Sequence, residues 1–521
     1  MSASRSSKTS RNSRTAWTVV ETLLVALLLA GLSLGAVAYH YRRGHITYYG
    51  DAEARLNIAR RVTDSRTPNW EQMGTVWLPL PHLLMSPLAR QDRLWRNALA
   101  GTIPVAACFV IAGVFLYAAA RRVYPGRAAA VAAVCLLALN PNLLYLQATP
   151  MSEPVMLAAL AALLYFTVRF RQTQGLGAAL GAGLAALAGT LTRYEGWLLI
   201  PFVVGYFLLA AKRRRLLWAL LFGAVASLGP VYWLGHNWWY YGNALEFANG
   251  PYSALAIYRR ALAQGMARYP GDGDWLGAWT QYRAAVRLCA GAPLYWIGIA
   301  GVAAALFRGA RWAAGLLALP PAFYVWSIQS SGTPVFVPEL WPHTYYNTRY
   351  GLTALPLLAL AGAAWAALAP RRLRVWAALA VVGLSVAPWL AYPRPEAWIT
   401  WKESQVNSEG RRAWTREAAE YWRTQTGPGD GIFMCFGDLT GILREAGLPL
   451  AASLHEGNHP EWEAAVGRPD LFLRERWAVA ISGDQVATAV LRAGRSGPKY
   501  ECVKRIALKG APVIEIYRRA P

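Results

Sequence analysis

Long apolar runs separated by short polar connections dominate the chain. Seven come first, at 17–39, 97–120, 128–146, 155–170, 175–191, 197–211 and 216–234. After a long polar gap four more follow, at 292–307, 312–328, 352–369 and 375–391. A helix needs about 20 apolar residues to cross hydrocarbon. The longer runs therefore predict transmembrane helices, and the shorter ones reach that length by tilting, draw on flanking aromatics, or fold back as re-entrant segments. About eleven spans are expected. From Pro393 the pattern changes to short apolar stretches among polar residues. It predicts helices over 409–422 and 439–446 and strands over 431–436, 477–481, 500–508 and 512–517, a small α/β domain. The expected organisation is a tail at 1–16, a transmembrane module at 17–391 with large polar loops at 41–96, 235–291 and 330–351, and a soluble α/β domain at 392–521.

Composition agrees with this division. Of 521 residues, 55% are hydrophobic and 15% charged, where a soluble protein carries about 25% charge. The formal net charge of +24 raises the question of nucleic acid, which the placement of the basic residues answers. Arg5, Lys8, Arg11 and Arg14 precede the first run. Arg121, Arg122 and Arg127, then Arg169 and Arg171, then Lys212–Arg215, Arg308 with Arg311, and Arg371, Arg372 and Arg374 fill every second connection, and those short connections hold no acid. Cytoplasmic loops carry such an excess. The N-terminus is therefore expected in the cytoplasm of an inner (cell) membrane protein, with loops 41–96, 147–151, 235–291 and 330–351 and everything after residue 391 outside. The first run is long and lacks a small-x-small cleavage site, so it is expected to stay as an anchor. Cys435 and Cys502 share the external tail and can pair only if the fold brings them together. No Cys/His spacing typical of a metal site appears.

The candidate chemistry gathers at the external ends of the runs. Tyr48-Tyr49-Gly50-Asp51-Ala52-Glu53-Ala54-Arg55 lies one or two helical turns beyond the first span, where a lipid head group meets water. Asp51 is the expected chemical centre with Glu53 beside it, although Asp51 after Gly50 also fits a helix cap. Apolar Ala52, Leu56, Ala59 and Val62 against Arg55, Arg60 and Arg61 predict a short helix in the interface plane. His82, in the Pro-rich run 78–84, is a candidate substrate contact or a packing residue. Glu153 stands at the mouth of a span, where an acid needs a wet cavity or a partner, and Ser152-Glu153-Pro154 equally reads as a helix start. Arg193, two residues from Glu195, and Arg349, after Tyr345, are external arginines that the topology does not explain. A phosphate would explain them, since a guanidinium matches its oxygens bidentately; an Arg193–Glu195 ion pair is the alternative. Asp272-Gly273-Asp274 fits a cation loop or a turn.

Taken together these segments resemble the GT-C class of polytopic glycosyltransferases, the class of protein O-mannosyltransferases and lipid A aminoarabinose transferases. The resemblance covers residues 17–391 and rests on Asp51-Ala52-Glu53, the 78–84 run, Ser152-Glu153-Pro154, Thr192-Arg193-Tyr194-Glu195-Gly196, Tyr241-Gly242-Asn243, and Thr348-Arg349-Tyr350 before Leu355-Pro356. It implies an α-helical polytopic fold and an inverting transfer of a sugar from a polyprenyl-phosphate donor to an extracytoplasmic glycan, lipid or protein hydroxyl. Asp51 is then the base. Many relatives carry Lys-Pro-Pro-Leu where this chain has Leu78-Pro79-Leu80-Pro81, so the phosphate is expected on Arg349 or Arg193, with Glu153, His82, Tyr345 and Glu195 around the substrate. A monophosphate leaving group asks for no obligatory metal, although Asp51 and Glu53 would suit Mg²⁺ or Mn²⁺ under a diphosphate. The rival expectations are a transporter or flippase of lipid-linked sugars and a non-catalytic scaffold. Internal repeats and midplane charges, which transporters tend to show, are not visible.

Overall fold

The computed structural model describes residues 3–425, 427 and 430–521, with side chains from Val19 onward. Arg5, Lys8, Arg11 and Arg14 of the tail lie outside the described side chains. Every apolar run is helical. Among the described residues, six helices are long and apolar enough to cross a membrane: Val19–Arg42, Leu99–Val123, Glu153–Thr173, Arg215–Tyr241, Thr348–Leu368 and Arg374–Ala391. A seventh span results if Trp275–Ala290 and Ala292–Phe307, bent by 112°, count as one. Arg127–Ala138, Leu176–Thr190 and Glu195–Ala210 are apolar but shorter. The expected run 128–146 is cut because Asn140 accepts from the Asn142 and Leu143 amides and starts a new short helix at Pro141. The chain is a multi-pass membrane protein.

Two compact units form. The first comprises Met1–Arg43, Val105–Ala148 and Ser152–Glu403; the second comprises Gly44–Pro104, Thr149–Met151 and Ser404–Pro521. In the first, helices approach through small residues. A Cβ on Gly301 would stand 2.2 Å from the Ala361 carbonyl oxygen, and one on Gly298 would crowd Leu358. That closeness is how helices gain packing contact in lipid, where the hydrophobic effect between them is absent. Asn140 and Asn142 both donate to the Cys289 carbonyl, and Thr400 bonds to Asn142, so one polar knot joins three segments. The 112° elbow turns at Gly291, whose φ of +82° suits glycine. The helix expected to end at residue 234 continues to Tyr241 and absorbs His236 and the Trp238-Trp239 pair. Asp274 caps the helix Trp275–Ala290, and Asp272 accepts from Tyr258, so Asp272-Gly273-Asp274 is a turn and cap.

The second unit carries a five-stranded sheet of β1 (Ile432–Met434), β2 (Ser453–Leu454), β3 (Trp477–Ile481), β4 (Tyr500–Ile506) and β5 (Ile514–Arg519), ordered β2-β1-β3-β5-β4. β1 runs parallel to both its neighbours, and β5 is antiparallel to β3 and β4. Val486, Ala487, Val490 and Ala493 of the helix Gln485–Ser496 pack with Phe433, Ala478 and Ala480. Residues 44–104 belong to this unit, which the division at residue 392 leaves out. Asp64 accepts from the Leu450 and Ala451 amides, Asn458 donates to Ser65 and Thr67, and Arg66 pairs with Glu475 at 2.7 Å. All five cysteines are free, Cys435 and Cys502 included.

Candidate active site

In the first unit, four of the expected residues meet. Glu153 opens the helix Glu153–Thr173 behind Ser152, and its Oε1 accepts from Arg193 Nη1 at 3.2 Å and from Arg349 Nε at 3.1 Å. Arg193 donates from Nε to Glu195 Oε1 at 2.7 Å, from Nη1 to Ser152 at 2.9 Å, and from Nη2 to the Tyr324 hydroxyl at 2.5 Å. That hydroxyl donates to Glu195 at 3.0 Å. Tyr350 lies under both guanidiniums, 4.9 Å from that of Arg193 and 5.1 Å from that of Arg349. The Arg193–Glu195 pair proposed from spacing is therefore real, and Arg193 is engaged through all three nitrogens. Arg349, which has no nearby acid in sequence, has two in space. Besides Glu153 it donates from Nη1 to Glu403 Oε1 at 2.8 Å, while Thr348 Oγ1 donates to the other Glu403 oxygen. Below the charges, Met156, Leu157, Leu160, Pro320 and Leu352 line a narrow cavity. Tyr345 is half-buried in the preceding loop.

Sequence reasoning missed Tyr324 and Glu403. Tyr324 sits within an apolar run whose period names it as packing. Glu403 follows the last span, two residues after the aromatic stretch Trp398–Trp401, and its only signal was an acid close to a membrane end. Burial pushes its carboxyl above the ordinary range even though Arg349 opposes the shift.

The second unit holds the acidic pair of the first loop. Gly50–Arg61 is the expected helix, but its N-cap is Tyr49, so Asp51 lies in the first turn rather than at the cap. Two residues apart on a helix point to different sides. Glu53 is buried and takes both forks of Arg444, Nε to Oε1 at 2.6 Å and Nη2 to Oε2 at 2.9 Å. Burial alone would raise its pKa; the Arg444 charge overcomes this and holds it below the ordinary value. Asp51 is half-buried. Its neighbourhood is organised by Arg411, which donates to the Thr47 and Tyr48 carbonyls at 2.9 and 2.7 Å, and by Arg412 on the Tyr48 ring. Neither arginine was singled out by sequence, because both belong to a long polar helix with many charges. His82 is fully buried on the helix Leu80–Ala89, stacked with Trp77, which Arg55 covers at 4.5 Å. Desolvation first, then Arg55 and Arg61, depress its pKa well below the usual value, so it is neutral at pH 7. Among the described residues no group of three or more His, Cys, Asp and Glu side chains is placed to hold a metal ion.

Residues 95–234 match the family model described as dolichyl-phosphate-mannose-protein mannosyltransferase. The fold is similar to that of ArnT from Cupriavidus metallidurans bound to undecaprenyl phosphate, with 15% identity, 96% of this chain and 98% of that chain covered, and a TM-score of 0.55. For the apo state of the same protein the values are 16%, 97%, 98% and 0.55. The apo oligosaccharyltransferase of Archaeoglobus fulgidus is also similar, at 13% identity, 88% and 69% coverage and a TM-score of 0.45. No curated protein matches the chain.

Proposed function

We propose that this chain, whose partial family match and fold support the GT-C class of membrane glycosyltransferases, transfers a sugar from a polyprenyl-phosphate carrier to an acceptor hydroxyl on the extracytoplasmic side. The undecaprenyl phosphate bound by ArnT supports the class of carrier. Asp51 is the proposed base. The observation that carries this choice is the division of labour on one helix turn: Glu53 is locked by both nitrogens of a buried arginine fork, whereas Asp51, two residues earlier, is half exposed. A base must reach its substrate, and a carboxylate held below its ordinary pKa by a buried arginine is a weak one.

In the proposed reaction the acceptor oxygen attacks the anomeric carbon on the face opposite the phosphate while Asp51 takes its proton. The carbon–oxygen bond to phosphate breaks, the electron pair leaves with the phosphate, and the centre inverts. A fixed guanidinium stabilises the charge that develops on the leaving oxygen. Arg349 is the proposed partner of that phosphate, with Arg193 as the second candidate; each arginine already pairs with two carboxylates, Arg349 with Glu153 and Glu403 and Arg193 with Glu153 and Glu195. No metal is assigned to the step, so transfer is expected to persist in EDTA. The deciding test is Asp51→Asn, which keeps size and removes the base. Transfer from a polyprenyl-phosphate sugar should fall by about 10²- to 10⁴-fold with donor binding retained, and full activity in that variant would refute the assignment.

A further inference from the structure

Arg349 lies against a carboxylate that resembles, in charge and in planar oxygen pair, the ligand proposed for it. Glu403 presents Oε1 to Arg349 Nη1 at 2.8 Å and its other oxygen to the Thr348 hydroxyl. Both residues are buried, Arg349 at 5% and Glu403 at 1% exposure. Around them two guanidiniums, Arg193 and Arg349, face three carboxylates, Glu153, Glu195 and Glu403. These five side chains sum to one negative charge before any ligand arrives. Adding a phosphate to such a site in a low-dielectric setting is unfavourable unless a negative charge is removed.

The three carboxylates differ in which arginine they pair with. Glu153 is shared by both arginines, and Glu195 is held by Arg193 and the Tyr324 hydroxyl. Glu403 pairs with Arg349 and not with Arg193, and it also accepts from the hydroxyl and the backbone amide of Thr348. It also comes from Ile399–Gln425, a helix that follows the last span, whereas Glu153 and Glu195 are built into the first turns of apolar helices. The groups facing Glu403 are Arg349 and Thr348 on the 348–354 turn and Cys289 on the helix Trp275–Ala290. We propose that Glu403 is an internal anion that fills the Arg349 seat at rest, and that the phosphate group of the lipid donor displaces it, with Glu403 taking one proton from solvent as it leaves the guanidinium. The inference rests on the polyprenyl-phosphate reading above. It adds a self-occupied state of the phosphate site. The upward displacement of the Glu403 pKa by burial lowers the cost of that protonation.

The test is binding of undecaprenyl methyl phosphate to the full-length protein in nanodiscs across about pH 6 to 8. This diester keeps one fixed charge, so any slope belongs to the protein. Uptake of one proton on binding weakens affinity as pH rises, by up to about tenfold per unit. Glu403→Gln should bind about tenfold or more tightly than wild type near pH 8, with a flattened profile. Thr348→Val, which removes only the hydroxyl that helps hold Glu403, should tighten binding by a smaller factor and keep the slope, and it carries the test if the first variant fails to fold. Equal or weaker binding by Glu403→Gln, or an unchanged slope, overturns the role of Glu403 and leaves the donor reading intact. If wild-type protein binds no diester at any pH, the donor reading itself falls, and this inference with it.

Discussion

Arg444→Met removes the fork that neutralises Glu53 and leaves its carboxylate inside the second unit. Glu53 is 4% exposed and Arg444 reaches it at 2.6 and 2.9 Å, while the same guanidinium donates from Nη1 to the Arg96 carbonyl at 2.5 Å. Stranding one member of a buried pair costs about 3–5 kcal/mol. For a unit of this size each kcal/mol moves the midpoint by about 2–4 °C, so a drop of about 6–20 °C is expected. The double variant Glu53→Leu/Arg444→Met removes both charges and should return close to wild type, because two matched apolar groups often replace a buried pair without loss. Sign follows from the depressed Glu53 pKa: the pair's contribution is present above the ordinary carboxylate range and is lost as pH falls through the folded value. The assay is thermal unfolding of the purified protein in detergent, read by limited proteolysis of the second unit, at neutral pH and again near pH 4. A shift below about 2 °C for the single variant, or a double variant no better than the single, would refute the account of Glu53 as a structural ion pair.

Four other outcomes follow from the same geometry. Arg349→Lys keeps the charge but loses the fork that reaches Glu153 and Glu403 together, so transfer should fall by about tenfold or more while Lys at an attraction-only site would be silent. His82 and His455 are both buried with pKa values pushed well down, chiefly by desolvation, so the unfolded chain binds more protons below about pH 6.5; the second unit should lose up to about 1.4 kcal/mol per pH unit per histidine as pH falls from there, and His82→Phe should remove part of that slope in a stability titration. Gly301→Leu puts a side chain where even a Cβ would stand 2.2 Å from the Ala361 carbonyl, and should lower the thermal midpoint of the first unit by several degrees, whereas Gly315→Leu, with open space at its Cβ, should not. Asn142→Leu breaks its bonds to the Cys289 carbonyl and to Thr400, and should cost about 2–4 kcal/mol by the same measure.

Hydrophobic period made the helices legible because lipid permits few other structures, and each of the eleven runs is helical. Where a run was read as one span and is two helices, the cause is local: Asn140 satisfies the amides of a new start at Pro141. The Gly50–Arg61 helix, the strand at 477–481 and the turn at Asp272-Gly273-Asp274 were also readable, since each depends on neighbours within a few residues, although the cap that Asp274 makes was not. Side-chain type singled out Glu153, Arg193, Glu195 and Arg349 as substrate contacts, because charges at a membrane end need partners, and the structure brings the four together as a buried polar set. Their partners were not readable. Arg349 is 54 residues from Glu403 and 196 from Glu153, and no local pattern records either pairing. For the same reason the loop 41–96 read as part of the transmembrane module, when its Asp64, Arg66 and Glu53 complete the unit of the C-terminal sheet.

That discontinuous unit also sets an order of events during synthesis. Glu53 and Arg444 are 391 residues apart, so at roughly 5–20 residues per second the acid waits on the order of 20–80 s for its base. During that interval the ribosome makes all the later membrane helices. The first loop must remain soluble with its acids hydrated and be held available until residues 404–521 arrive. Chains stopped after the last span would carry every transmembrane helix and still lack the unit that contains Asp51.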